Sequence, residues 1–242
     1  MSIKLEKLQK IYEGKAKILF ATTNPNLLIQ HFKDDATAFN AQKKAVIEGK
    51  GSLNNLISEY LMIELSKNGI KNHFVEKINE REQLIKKVKI IPLEVIIRNI
   101  TAGSLSKRLD VEEGIILNSP IFEICYKNDS LQDPLINDDH AIEVLKVVNK
   151  KQLELLKDNA FKINQLLKNI FNNIEINLVD FKIEFGFDEN NEIILADEIS
   201  PDGCRLWDKN TAEKLDKDRF RRDLGGLVDA YREIANRLKL KI

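Results

Sequence analysis

The chain has 242 residues, 43% of them apolar and 31% charged, enough to bury a substantial core as one large domain or two fused lobes. Its 38 Lys and Arg balance 38 Asp and Glu, so no global basic excess marks a partner for duplex nucleic acid or an anionic membrane. No stretch approaches the roughly 20 apolar residues of a membrane span, and the first residues carry no signal core. Two widely separated cysteines, Cys125 and Cys204, indicate neither a disulfide framework nor a CxxC metal site. The expected address is a reducing cytoplasm.

In chain order, short strands are expected over 16–21, 45–47, 73–78 and 84–88. Ser52 is placed to cap a helix whose apolar positions Leu53, Leu56, Ile57, Tyr60 and Leu61 follow helical spacing. Pro92 lacks the N–H of a sheet donor, which makes it the opener of an apolar strand over 93–97. Residues 140–171 read as helical, and two further strands, 177–187 and 192–199, precede a final helical stripe from Phe220 to Leu238. Strands in runs followed by separate helices make this an α+β chain rather than a regular βαβ winding.

The familiar phosphate and hydrolase motifs are missing. Gly49-Lys50-Gly51-Ser52 resembles the end of a P-loop without its upstream glycine, and G-x-G-x-x-G, HExxH and GxSxG do not occur. His31, His73 and His140 are too scattered for a histidine metal site and read as structural or solvated.

The most informative stretch is Leu178-Val-Asp-Phe-Lys-Ile-Glu-Phe-Gly186, followed by Glu192-Ile-Ile-Leu-Ala-Asp-Glu-Ile199. A hairpin centred between Glu189 and Asn190 sets Lys182 opposite Asp197 and Glu184 opposite Leu195. Phe181, Ile183, Phe185, Ile194 and Ala196 then share the apolar face. One lysine and two carboxylates crowd the other face, where the acids repel unless a cation sits between them. Magnesium, which takes hard oxygen ligands together with substrate phosphates, suits that pair. A plain cross-strand ion pair is the alternative, and a turn of odd length would swap the faces.

Tyr12-Glu-Gly-Lys-Ala-Lys17 leads into a strand. Gly14 permits close approach or positive φ, and Lys15 and Lys17 suit a polyphosphate; a solvated lysine edge is the alternative. Arg98 ends a buried strand before a Gly/Ser/Thr turn and a helix, so with Ser104 it can seat a phosphate. Alternatively, Ser104 only caps and Arg98 only pairs with Glu94. Pro201-Asp-Gly forces a turn that aims Asp202 and Arg205 back towards Asp197. Leu206 and Trp207 read as core plugs, and Cys204 as an inert thiol. The 127–134 segment is polar and could close over a site, while 217–222 reads as a solvated helix face.

Taken together, these blocks resemble the SAICAR synthetase family. The carriers are YEGKAK, FKDDATAFN, GKGSLNN, PLEVIIRNITAGSLSKR, KNDSLQDP, LVDFKIEFG, DEISPDGCRLWD and DKDRFRRDLGGL. The resemblance implies a two-lobed α+β ATP-binding architecture, mostly antiparallel sheets with a long C-terminal helix, divided into lobes of 1–85 and 86–242. It implies an ATP-dependent ligase of purine biosynthesis joining a carboxylated aminoimidazole ribonucleotide to L-aspartate through an acyl phosphate, with release of ADP and phosphate. By the same resemblance, Gly14, Lys15, Ala16, Lys17 and Lys182 hold ATP phosphates, with Lys17 and Lys182 catalytic. Lys86, Val88 and Ile90 contact adenine, Glu184 and Asp197 hold Mg2+, and Arg98, Ser104, Asp202 and Arg205 grip the ribonucleotide. A homo-oligomer, with a dimer favoured, is also implied. Asn40 stands where the family can carry Asp, which leaves an acidic role there in doubt; Cys204 stands where it can carry Ser, which argues against a required thiol. The rivals are a small-molecule kinase on the same Mg·ATP platform and a non-catalytic nucleotide-binding module.

Overall fold

The structure is a computed structural model that describes residues 5–38 and 42–242, so Asn40 lies outside the described residues. The chain begins with strands β1 (Lys7–Glu13), β2 (Lys17–Thr22), β3 (Leu27–Phe32), β4 (Asp35–Ala38) and β5 (Lys43–Val46), then helix α1 (Lys50–Lys67). Strands β6 (Phe74–Lys77) and β7 (Glu82–Lys86) complete an antiparallel five-stranded sheet of order β1-β2-β3-β7-β6, while β4 pairs only β5. The second sheet begins at β8 (Lys89–Ile100). Helix α2 (Gly103–Leu109), β9 (Ile116–Tyr126), β10 (Leu135–Ile136), α3 (Lys150–Asn172), β11 (Ile176–Phe187), β12 (Ile193–Ala196) and β13 (Cys204–Asp208) follow. The order is β10-β9-β8-β11-β12, and β13 also pairs β11. Helices α4 (Asp218–Arg221) and α5 (Leu227–Arg237) close the chain.

The α+β class and antiparallel sheets expected from the sequence are present. Local features differ, among them the 140–171 helical stretch, which is a single π-helical turn at His140–Val144 and becomes α-helix only from Lys150. Helix α1 begins at Lys50, with Gly49 at φ +85 in the N-cap position, and the Ser52 hydroxyl donates to the Gly49 carbonyl at 2.9 Å instead of capping. Pro92 lies inside β8 rather than at its start, at a register shift where Glu184 faces Glu94 but Gly186 faces Ile90; an irregular ladder needs no N–H there. The final helical stripe is broken, because Gly225 and Gly226 take φ +70 and +60 between α4 and α5. Gly14 is not among the residues of positive φ.

One face of the second sheet is apolar. Val95 and Ile97 of β8 and Phe181, Ile183 and Phe185 of β11 are buried there with Leu156, Ala160, Ile163 and Leu167 of α3. Each fully buried large side chain contributes about 1.5–3 kcal/mol. Asn149 and Gln152 close a reciprocal capping box at the start of α3. Helix α1 packs between the two sheets' neighbours, touching β3, β6 and β7 as well as α3 and α5. No helix among the described residues is long and apolar enough to cross a membrane.

His73, just before β6, joins the sheets: its N–H donates to Leu195 at 2.9 Å and its carbonyl accepts from Lys86 at 2.7 Å. Burial, aided by the charges of Lys17 and Lys86, pushes its imidazole from 6.5 down to about 3. The unfolded chain takes up a proton near pH 6.5 that the folded chain refuses until far lower pH, so stability falls with pH across that window. Between pH 7 and pH 5 this group costs about 2 kcal/mol. Calorimetry over that range should therefore show a shallower fall in Tm for His73→Gln than for the unmodified chain; parallel curves would refute the assignment.

Candidate active site

The polar face of the second sheet is built by pairing. Opposite residues share a face, so Asp180 with Arg98 and Glu184 with Glu94 stand on one side of the ladder, with Lys182 between them opposite Ile96. Glu123 of β9, paired with Ile96, extends the row. On the other edge of β11 two strands share the space: β12 covers residues 184–187 and β13 covers 176–181. The chain leaves that edge after Ala196, makes the Ser-Pro-Asp-Gly turn and returns at Cys204. At the gap the Lys182 N–H donates to the Gly203 carbonyl at 2.9 Å.

The hairpin register is one residue away from the expected one. Glu184 faces Ala196, Phe185 faces Leu195, and Phe187 faces Ile193, which leaves 188–192 as a turn of odd length. Leu195, not Ile194 or Ala196, therefore shares the face of Phe181, Ile183 and Phe185. A regular strand would then have turned Asp197 to the core side. Instead β12 ends at Ala196, and Asp197 takes φ +61, which swings its carboxylate back over the polar face.

The two acids consequently meet at one ammonium. Lys182 Nζ lies 2.8 Å from Glu184 Oε1, 3.4 Å from Asp197 Oδ2 and 3.3 Å from Glu94 Oε1. Lys17 hydrogen-bonds Asp197 and lies 3.3 Å from Glu198 Oε1, and Lys127 donates to the same Glu184 oxygen. Burial works to raise the Glu184 pKa, but Lys182 and Lys127 outweigh it and bring the carboxyl down to about 2. Burial likewise works to lower Lys182, yet Glu184 and Glu94 hold it above its ordinary value. For Lys17 burial prevails and lowers the pKa, opposed chiefly by Glu198. Among the described residues no three acid, histidine or cysteine side chains form a ready-made metal cage.

Lys15 is drawn away from this cluster by Asp129, 2.7 Å distant. Together with Lys127 on Glu184, that pair ties the 127–134 segment to the Lys15 turn and to the acid cluster. Gly14 donates its N–H to the Lys17 carbonyl at 2.8 Å, and a Cβ there would stand 3.0 Å from the Tyr12 hydroxyl. Ala16 lies in the same turn, and its carbonyl accepts from Lys33 at 2.8 Å. Lys86 ends β7, Val88 lies in the short connection, and Ile90 is exposed near the start of β8.

Beside Lys182 opens a cavity of about 310 Å³, lined by Glu94, Arg98, Ser104, Asp180, Asp202, Arg205 and Arg221 among others. Arg98 is buried, but not with Glu94: it donates to Glu123 at 2.7 Å, to Asp180 at 2.9 Å and to the Ser104 hydroxyl at 2.9 Å. Ser104 is thus no cap; α2 begins behind Ala102 without a side-chain cap, and the Gly103 N–H is taken by Glu113. Arg205 donates to both Asp180 oxygens, at 2.8 and 3.1 Å, and to Asp218 at 3.1 Å. The charges alternate from Arg108 through Glu123, Arg98, Asp180, Arg205, Asp218 and Arg222 to Glu113.

Asp202 lines the cavity with its carboxylate already engaged. It accepts from Lys50 at 2.8 Å and from the Tyr231 hydroxyl at 2.6 Å, with Lys217 at 3.5 Å. Burial pushes this carboxyl up, and Lys217 and Lys50 overcome it and hold it low. The side chain ties α1 and α5 to the turn that leads into β13 and Arg205. Leu206 and Trp207 are buried as expected, and burial, reinforced by the Asp180 charge, raises the Cys204 thiol far above its ordinary value. The 217–222 stretch is not a solvated face: Asp218 is buried beneath three arginines, and Phe220 packs on the core. Sequence reasoning did not single out Glu94, Lys127, Asp180, Glu198 or Asp218 for roles. Glu94 and Asp180 carried a signal in their strand parity, but the other three depend on contacts far along the chain, Asp218 with Arg205, Lys127 with Glu184 and Glu198 with Lys17.

Gly103 sits at φ +57, and a Cβ there would lie 2.3 Å from an Arg205 terminal nitrogen. Gly103→Ala should cost about 1–2 kcal/mol in backbone strain alone, before any displacement of Arg205. A thermal melt should drop by several degrees; an unchanged Tm would show that this close approach carries no weight.

A SAICAR synthetase family profile matches residues 10–238. Phosphoribosylaminoimidazole-succinocarboxamide synthase of Clostridium perfringens is 54% identical over 235 residues, covering 97% of this chain and 99% of that one. That of Fusobacterium nucleatum is 56% identical over 237 residues, covering 98% of this chain and all of that one. The crystal structure of the Ehrlichia chaffeensis synthase superposes with a TM-score of 0.94 at 51% identity, over 97% of this chain and 100% of that chain. A SAICAR synthetase solved in complex with ADP has a TM-score of 0.92 at 47% identity, over 95% and 97% of the two chains. With the profile and these relatives spanning nearly its whole length, the chain belongs to the SAICAR synthetase family.

Proposed function

We propose that the protein is an ATP-dependent carbon–nitrogen ligase of purine biosynthesis that condenses a carboxylated aminoimidazole ribonucleotide with L-aspartate, releasing ADP and phosphate. The observation that carries this reading is the double position of Lys182, which belongs to the lysine–carboxylate cluster and also lines the arginine-rich cavity. A phosphoryl donor on one side and an anionic acceptor on the other meet at its ammonium group.

A carboxylate is a poor electrophile, because its charge repels an amine and oxide is a hopeless leaving group. Phosphorylation converts that oxide into phosphate, so an acyl phosphate is the economical intermediate. The chain's own contribution is positioning and electrostatics. Lys17 and Lys182 offset charge on the transferring group, with Gly14, Lys15 and Ala16 alongside. The connection carrying Lys86, Val88 and Ile90 receives the adenine between lobes 1–85 and 86–242. Arg98 and Arg205, with Ser104, take the anionic groups of the ribonucleotide, and Asp202 holds the turn beside them. The unprotonated amine of aspartate then attacks the acyl carbon, the C–O bond to phosphate breaks, and the nitrogen's surplus proton leaves with the phosphate or to water.

Glu184 and Asp197 are read as the ligands of Mg2+, which at that position neutralises charge on ATP phosphates. Their hard oxygens suit the ion, and one or two carboxylates plus phosphates are its common coordination. The neighbouring Glu198 adds support, since its Oε2 is buried without a hydrogen-bond partner, as befits a cluster that takes up further positive charge. A homodimer is proposed on the family resemblance, and a reducing cytoplasm on the two unpaired cysteines. A monomer by sedimentation velocity would remove the former.

An assay with ATP, Mg2+, the ribonucleotide and aspartate, each omitted in turn, tests the reaction. Phosphate should be released in step with ligation only when all four are present; a phosphorylated acceptor accumulating as final product would identify a kinase. Asp197→Asn should lower turnover by about 100-fold or more while circular dichroism stays unchanged. An unaltered rate would remove the metal assignment. Arg205→Ala should raise the KM for the ribonucleotide and leave that for MgATP nearly unchanged.

A further inference from the structure

We propose that Asp218 is a positioning residue for the ribonucleotide site. Its buried carboxylate holds Arg205 and Arg221 where they face the cavity, and it acts on binding through them without touching the substrate. As proposed above, Arg205 grips the ribonucleotide, and Asp218 takes its role from that reading.

Only 1% of the Asp218 side chain is exposed. One oxygen accepts from Arg205 Nε at 3.1 Å and lies 3.3 Å from Arg222; the other accepts from Arg221 at 2.6 Å. Of the three guanidinium groups around this carboxylate, Arg205 is shared with Asp180 and Arg222 with Glu113, while Arg221 pairs with Asp218; Arg205 and Arg221 line the cavity. Arg205 is fixed at two points, its Nε on Asp218 and its NH1 on Asp180. Its third corner lies against Gly103, where even a methyl group would not fit. A long side chain held this way loses little further rotamer freedom when an anion arrives, so affinity gains from preorganisation. The planar fork would otherwise sample orientations that no longer match a phosphate or carboxylate.

Asp218 is itself placed by a neighbour with a different task. Asp216 accepts the Asp218 N–H at 2.7 Å and the Leu206 N–H at 2.8 Å, stapling the start of α4 to the strand residue next to Arg205. Asp216 is fully buried, and among the described residues it forms no ion pair within 4.0 Å. It supports backbone, whereas Asp218 holds guanidinium groups. The two acids thus separate structural support from positioning.

Steady-state kinetics on Asp218→Asn, Asp216→Asn, Arg205→Ala and the Arg205→Ala/Asp218→Asn pair test this directly. Asp218→Asn should raise the ribonucleotide KM about tenfold, with kcat and the MgATP KM within about twofold. In the Arg205→Ala background its effect should shrink to about a third or less, the non-additivity of residues acting as one unit. Asp216→Asn should lower Tm with little change in the ribonucleotide KM. If Asp218→Asn does not fold, Asp218→Glu replaces it in the same cycle, keeping the charge but displacing it by one methylene. An undiminished effect in the Arg205→Ala background, or an equal KM shift from Asp216→Asn, would overturn the inference while the ribonucleotide site stands. A normal ribonucleotide KM in Arg205→Ala would overturn the site itself, and this inference with it.

Discussion

The site depends on one ammonium group held among three carboxylates. Lys182 sits where β12 has ended and β13 has not begun, and it contacts Glu94, Glu184 and Asp197. Without that cation the directly opposed Glu94 and Glu184 would repel across the β8–β11 ladder, and Asp197, folded back from its strand end, would be left to Lys17. With it, one face gathers lysine ammonium groups and carboxylates side by side, the arrangement on which the proposed function draws. Buried pairs of this kind bring little net stability, because desolvation cancels most of the attraction. Their consequence here is orientation.

Orientation is also what the arginine side achieves. Arg98 and Arg205 share Asp180, Arg205 and Arg222 share Asp218, and Arg222 reaches Glu113, which in turn holds the Gly103 N–H. The row of alternating charges turns around the start of α2, and its members come from β8, β9, β11, β13, α4 and the segment after α2. No element could place its arginine alone. An anion meeting this surface finds guanidinium groups already ordered, which favours binding by lowering its entropic cost.

The strand parity of Asp180, Lys182 and Glu184 against Phe181, Ile183 and Phe185 was legible in the sequence, because alternation along a strand is a property of the strand alone. The identity of the facing partner was not. A turn one residue longer than assumed moved Leu195 to the core face, and the acid pair was preserved only by the left-handed backbone at Asp197. Pro92 misled for a related reason: its lack of a donor excludes it from a regular ladder, but β8 is irregular there. The 217–222 stretch read as a solvated face since its charges outnumber its apolar residues. Burial of Asp218 became favourable only once Arg205 arrived from another strand.

By itself the sequence determined the α+β class, the apolar face of β11, the families of lysine, acid and arginine residues, and through its motif blocks the kinship. These follow from periodicity, local turn chemistry and residue type, all of which act over a few residues. Tertiary structure alone decided that Lys182 joins the lysine–carboxylate cluster to the cavity, that Asp202 anchors α1 and α5, and that Asp218 gathers three arginines. Those choices rest on Coulomb attraction between groups far apart in the chain, which acquires a magnitude only when the fold removes water and sets the distance.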